Sequence, residues 1–73
     1  MVFEKVKAIV AEKLDIDPSL ITMESSFSEM QIDSLYMVEI MLALEDEFGI
    51  MIDDAGELLS IADLVAYIEK KIG

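Results

Sequence analysis

This sequence predicts an all-α fold: a small four-helix bundle, with three main helices and a short third helix before the last. Three observations lead there. Three stretches carry apolar residues at three- and four-residue steps, the period of one helix face. Each stretch is bounded by residues that start or stop helices. No segment reads as a strand with a partner, and Ile50-Met51-Ile52 is too short to found a sheet. The 73 residues are read as one domain, 1–73. At 55% hydrophobic and 29% charged, the composition folds rather than stays disordered. The core is thin, because a chain this short buries only roughly 60% of its unfolded surface.

Residues 2–14 form the first helix, with Phe3, Val6, Ile9, Val10 and Leu14 on its apolar face. A long connection follows. In it Asp17 caps a short turn at Pro18 to Leu20, since Pro suits the first helical position. Leu20, Ile21 and Phe27 are the apolar anchors expected to pin this connection to the core. The second helix spans 34–48. At about 100° per residue, Met37, Ile40, Met41, Leu44 and Phe48 share the inner face. Leu35, Val38 and Leu42 share another side, with Glu39, Glu45 and Asp46 around them. These aliphatics either pack under a neighbouring loop or face outward, as a docking surface for an apolar partner with a basic rim. Gly49 stops the helix. Asp53 and Asp54 start the short helix, through Leu59, weakened by Gly56. Ser60 with Asp63 is a capping pair for the last helix, whose stripe is Ile61, Leu64, Val65, Ile68 and Ile72.

Charge and residue usage exclude several functions. The net charge is −11. All sixteen acids except Glu4 and Glu12 fall between residues 14 and 69, where there is no Lys or Arg. Nucleic acid is repelled by such a chain, and partners with basic patches are attracted. There is no histidine and no cysteine, which rules out a Ser-His-Asp triad, a Cys-His pair and a histidine or thiolate zinc site within the chain. No catalytic residues are assigned and a free-standing enzyme is rejected. Residues 15–26 open like a calcium loop, but its sixth position needs Gly and has Leu20, and its twelfth needs Glu and has Ser26. No metal is expected. Nothing reads as a membrane span or a signal peptide. The lack of cysteine suits a reducing compartment, so a cytoplasmic monomer is the expectation.

One serine stands where the irregular segment 25–31 turns into the second helix. Asp33 is its N-cap, and Ser34 follows at the helix start. An Asp-Ser pair in that place is ordinarily just a cap. The N–H groups there lack intrahelical partners, however, and would meet a phosphate ester on the serine. The wider pattern is distinctive: Phe27-x-Glu29-Met30-x-Ile32-Asp33-Ser34-Leu35, then Val38-Glu39-Ile40 and Ala43-Leu44-Glu45-Asp46-Glu47-Phe48-Gly49-Ile50. Ala11-Glu12-Lys13-Leu14, Ile21-Thr22, Ile61-x-Asp63-Leu64 and Tyr67-Ile68 extend it across nearly the whole chain. On these residues the chain resembles the acyl carrier proteins of the phosphopantetheine-binding family.

The resemblance implies that Ser34 takes up 4′-phosphopantetheine from coenzyme A through a carrier-protein synthase. Asp33 and Leu35 flank it as part of the attachment site. It implies an acyl carrier that holds thioesters on that arm and serves fatty-acid synthesis. Leu35, Val38, Glu39, Leu42, Glu45 and Asp46 match the positions that dock acyl-transferring and chain-elongating enzymes. Three departures stand out. Gln31 replaces a Gly that often supplies positive φ, which leaves the loop shape open. Tyr36 replaces an acid. The segment from Ile52 to Ile61 is shorter and lacks the usual Pro, so the short helix is expected to be abbreviated or irregular. Two alternatives follow: a specialised carrier for a polyketide, non-ribosomal peptide or other dedicated pathway, and an unmodified acidic interaction module. Met37 and Met41 are read as space-filling, although their flexibility also suits a core that opens for an acyl chain.

Overall fold

The first helix, α1, spans Val2–Leu14 in a computed structural model that describes residues 2–53 and 55–73. Its stop is local. Asp15 adopts a left-handed φ of 57°, and the Ile16 N–H donates to the Ala11 carbonyl at 3.0 Å. Asp tolerates that conformation better than most residues. A single 3-10 turn follows at Pro18–Leu20. Asp17 caps it as expected, its carboxylate accepting from the Ser19 N–H at 2.9 Å. The second helix, α2, covers Ser34–Phe48, and the last, α3, covers Ile61–Ile72. Gly49 ends α2 with φ 66°, donating its N–H to the Glu45 carbonyl at 2.8 Å. Only a residue without a Cβ takes that φ at no steric cost.

Val6, Val10, Ile40, Leu44, Ile61, Leu64 and Ile68 are fully buried and join all three helices in one core. Each such side chain contributes roughly 1.5–3 kcal/mol by leaving water. α1 packs directly against both α2 and α3, whereas α2 and α3 do not approach each other as closely. The segment that joins them bonds to both, through Ile52 to α2 and through Asp53 to α3. There the expected short helix from Asp53 to Leu59 is reduced to one 3-10 turn, Ala55–Glu57; Asp54 lies outside the described residues. The reason is that the segment's ends are committed elsewhere. The Ile52 N–H donates to the Glu45 carboxylate at 2.7 Å, and the Leu59 carbonyl accepts from the Phe27 N–H at 3.0 Å.

Two apolar assignments are corrected. Leu20 is 67% exposed, so of the three expected anchors only Ile21 and Phe27 are buried. Ile21, the residue that ends the 3-10 turn, is the one turned inward. Ile72 is 49% exposed, because the core ends at Ile68, a turn earlier. Among the described residues no strand forms. One isolated antiparallel bridge, Ser26 with Ser60, joins the long connection to the start of α3. Around it the Ile61 N–H donates to the Ser25 carbonyl at 2.9 Å and the Ala62 N–H to the Met23 carbonyl at 3.0 Å. The Ser60 hydroxyl caps α3 by accepting from the Asp63 N–H, and Asp63 returns a bond to the Leu59 N–H at 3.1 Å.

The loop shape left open by Gln31 is settled by its backbone: φ is 58°, left-handed despite the side chain. That conformation costs a non-glycine residue about 1–2 kcal/mol, and glycine would give back about 0.5–1 kcal/mol in chain entropy. Gln31→Gly therefore leaves stability unchanged or raises it by up to about 1 kcal/mol, while Gln31→Val lowers it by about 1 kcal/mol or more. Urea unfolding of the two variants beside the parent measures the difference.

Candidate functional site

The serine at the start of α2 is presented by a sequence of short-range bonds. Ser26 and Glu29 cap each other: the Glu29 N–H donates to the Ser26 hydroxyl at 3.0 Å, and the Ser26 N–H donates to the Glu29 carboxylate at 3.4 Å. The chain then turns through Gln31, and the Ile32 N–H returns to the Phe27 carbonyl at 3.2 Å. Phe27 is buried, so this turn is fastened to the core. Asp33 leaves it in extended backbone, φ −82° and ψ 178°, and caps α2 by accepting from the Tyr36 N–H at 2.9 Å. Ser34 is the first residue of α2 and is exposed. The Asp33 carboxylate is thus aimed into the helix end and works as a cap. That geometry positions the serine without activating it.

Beside Ser34 opens an apolar cleft of about 410 Å³. One wall is α2, through Met37, Val38, Met41, Leu42 and Glu45; the other is Ile52 and Gly56. Met37 and Met41 therefore line a space as well as fill one. On the far side of Leu42 lies a second groove, about 500 Å³, between α1 and α2. Glu12, Glu39, Asp46 and Glu47 line it, with Ile9, Lys13 and Ala43. Between the two runs a crest of exposed aliphatics: Leu35 at 67%, Val38 at 55% and Leu42 at 59%. No neighbouring loop covers this row, so of the two sequence readings the outward one holds. Glu39 and Asp46 are exposed along its edge. Tyr36 lies on the far side of the helix from Val38, because residues two apart do not share a face.

Of the residues singled out for docking, Glu45 stands apart. It is only half exposed, and its carboxylate holds the Ile52 N–H at 2.7 Å. It ties the opposite cleft wall to α2. A second pair was also hidden from sequence. Tyr67 on α3 donates its hydroxyl to the Asp53 carboxylate at 2.8 Å, and the Asp53 N–H donates back to that oxygen at 3.4 Å. The Lys71 ammonium sits 5.4 Å from the centre of the Tyr67 ring. The available clue was Tyr67 itself, since a half-buried phenol needs a partner for its hydroxyl. The Tyr67 hydrogen bond is the main influence holding the Asp53 carboxyl below its ordinary range; its own backbone N–H and Lys71 add to this. Asp17 is lowered likewise by the Ser19 N–H and hydroxyl.

Residues 4–70 match a family model described as the phosphopantetheine attachment site. The chain is similar to the acyl carrier protein of Clostridium acetobutylicum, 50% identical over 94% of each chain. It is similar to that of Thermotoga maritima, 41% identical over 99% of this chain and 93% of the relative. It is also similar to that of Streptococcus pneumoniae, 41% identical over 96% and 95%. Among the described residues no helix is long and apolar enough to cross a membrane.

A carboxyl whose folded value is depressed gives its full stabilisation above its unfolded value and loses it as pH falls through the folded one. Tyr67→Phe removes the largest cause at Asp53. Its titration midpoint, followed by carboxyl NMR shifts, should rise toward the ordinary value. The fall of the melting temperature below about pH 4 should then become shallower than in the parent.

Proposed function

This chain belongs to the phosphopantetheine-attachment family, and we propose that Ser34 is the residue that bears its 4′-phosphopantetheine arm. The protein is an acyl carrier. The observation that supports the attachment point is the exposed Ser34 hydroxyl at the start of α2, beside an apolar cleft. The residues fit the group. Asp33 consumes the Tyr36 N–H, and the N–H groups of Ser34 and Leu35, which lack intrahelical partners by position, remain for a phosphodiester. Met37, Met41 and Ile52 offer an apolar lining for an acyl chain. When bound, the group supplies a terminal thiol on which acyl groups are held as thioesters.

The chain's own residues position and present. The chemistry of attachment is left to a carrier-protein synthase, because Asp33 is engaged in its cap and the chain has no histidine or cysteine. In that transfer the Ser34 hydroxyl loses its proton and its oxygen bonds to phosphorus. The anhydride bond of coenzyme A breaks and adenosine 3′,5′-bisphosphate leaves. Loaded carrier then serves fatty-acid synthesis. The crest of Leu35, Val38 and Leu42, edged by Glu39 and Asp46, suits acyl-transferring and elongating enzymes whose docking surface is apolar with a basic rim. Glu45 acts on the cleft wall as well as on partners. The departures at Gln31 and Tyr36 weigh little against the fatty-acid role, since the loop keeps its left-handed turn and Tyr36 faces away from the crest. The same reading takes residues 1–73 as one carrier domain, a monomer in the cytoplasm.

Co-expression with a carrier-protein synthase should add one phosphopantetheine to the intact mass of the parent and none to Ser34→Ala. An unmodified parent, or a modified Ser34→Ala, would overturn the assignment. Glu39→Lys and Asp46→Lys should each slow association with the synthase about tenfold at low salt. Their unfolding free energy should stay within about 0.5 kcal/mol of the parent.

A further inference from the structure

The wall of the cleft opposite α2 is a single strand of chain. It carries one 3-10 turn, and its residues Met51, Gly56 and Glu57 are exposed. Ile52 and Leu58 are its buried apolar anchors, and Ile52 is the one that lines the cleft. α2 and α3 are not packed closely on each other, so what keeps this wall in place is not a helix-helix contact. Two adjacent residues hold it instead. The Ile52 N–H is bonded to Glu45 on α2, and the N–H and the carboxylate of Asp53 are bonded to the Tyr67 hydroxyl on α3. Near Ile52 the wall is thus fastened to α2 by one residue and to α3 by the next. Tyr67 is a firm post, because its ring packs against the core and Lys71 lies over it.

We propose that the Asp53–Tyr67 pair limits how far the wall carrying Ile52 can yield, and so sets the length of acyl chain that the cleft beside Ser34 accepts. The proposal rests on the reading of Ser34 as the attachment point. A chain advancing along Met41 toward Ile52 meets a residue whose neighbour is tied to α3. Lengthening the cleft there means displacing Ile52 from its bond to Glu45, and Asp53, the next residue, must shift with it and give up its bonds to the Tyr67 hydroxyl. Short chains fit without it. Longer ones must break the pair or leave their end in water, where each further methylene gains no burial. Asp53 and Tyr67 are positioning residues for chain length and take no part in thioester chemistry.

The test uses the full chain, loaded on Ser34 with saturated acyl groups of increasing length, each species verified by intact mass. In the parent the melting temperature should rise with chain length and then level off. In Tyr67→Phe, which keeps the ring and its packing, and in Asp53→Ala, the levelling should move to a longer chain. The thioester of the longest species should also become several-fold slower to react with hydroxylamine. Lys5→Met, which cuts the ion pair to Glu47 away from the cleft, should lower all melts alike and leave the levelling point where it was. If Tyr67→Phe and Asp53→Ala behave as Lys5→Met does, the pair is merely structural and the proposal fails while the attachment stands. If the parent shows no rise at any length, no chain enters the cleft and the proposal fails with it. Absence of loading on Ser34, seen in the mass, overturns the reading beneath both.

Discussion

A few backbone hydrogen bonds between the long connection and the start of α3 decide where everything else in this molecule lies. The Phe27 N–H meets the Leu59 carbonyl, and the Ile61 and Ala62 N–H groups meet the carbonyls of Ser25 and Met23. Together they form the smallest unit of antiparallel pairing, one bridge. Buried Phe27 sits at this junction, and the turn that delivers Asp33 and Ser34 starts from it. Without the stitch, the connection between α1 and α2 would be held chiefly by Ile21 and Phe27. The N-terminus of α2, where position matters most, would then inherit the freedom of a long loop.

Local rules made the helices legible. The apolar steps of α1, α2 and α3, the Asp17-Pro18 start, the Asp33 and Ser60 caps and the Gly49 stop all depend on residues within a turn of one another. Helical angle alone put Leu35, Val38 and Leu42 on one side, but whether that side was covered was decided only by their exposure in the structure. The features that escaped sequence are those whose partners are distant. Glu45 and Ile52 are seven apart, and Asp53 and Tyr67 are fourteen apart. No periodicity joins them. Leu20 and Ile72 show the opposite failure: they sit in apolar register, but the core had already closed at Ile21 and Ile68. The short helix fell between these cases. Gly56 marked it as weak, yet its reduction to one turn was decided by bonds from both ends of the segment to other elements.

The surface divides its work by chemistry. α2 presents aliphatic side chains outward and lines an acidic groove against α1, while its opposite edge borders the apolar cleft. Exposed aliphatics give an encounter its adhesive part, and unpaired carboxylates give it direction. Three of the five lysines keep clear of the crest. Lys5 and Lys7 engage Glu47 and Glu4 on the outer surface, and Lys71 lies over Tyr67, away from the crest. These exposed ion pairs are worth at most about 1 kcal/mol each, so their value to the fold is small.

Ser34 contributes no side chain to the core, and the helix end it occupies is capped by its neighbour. The fold is therefore complete without any group on the serine. On the proposed reading of Ser34, a group can be joined there and removed again with no core contact of the serine itself to break. For a molecule with so thin a core, this separation of duty is what makes it reusable: one copy can pass through many cycles of filling and emptying without risking its own unfolding at any of them.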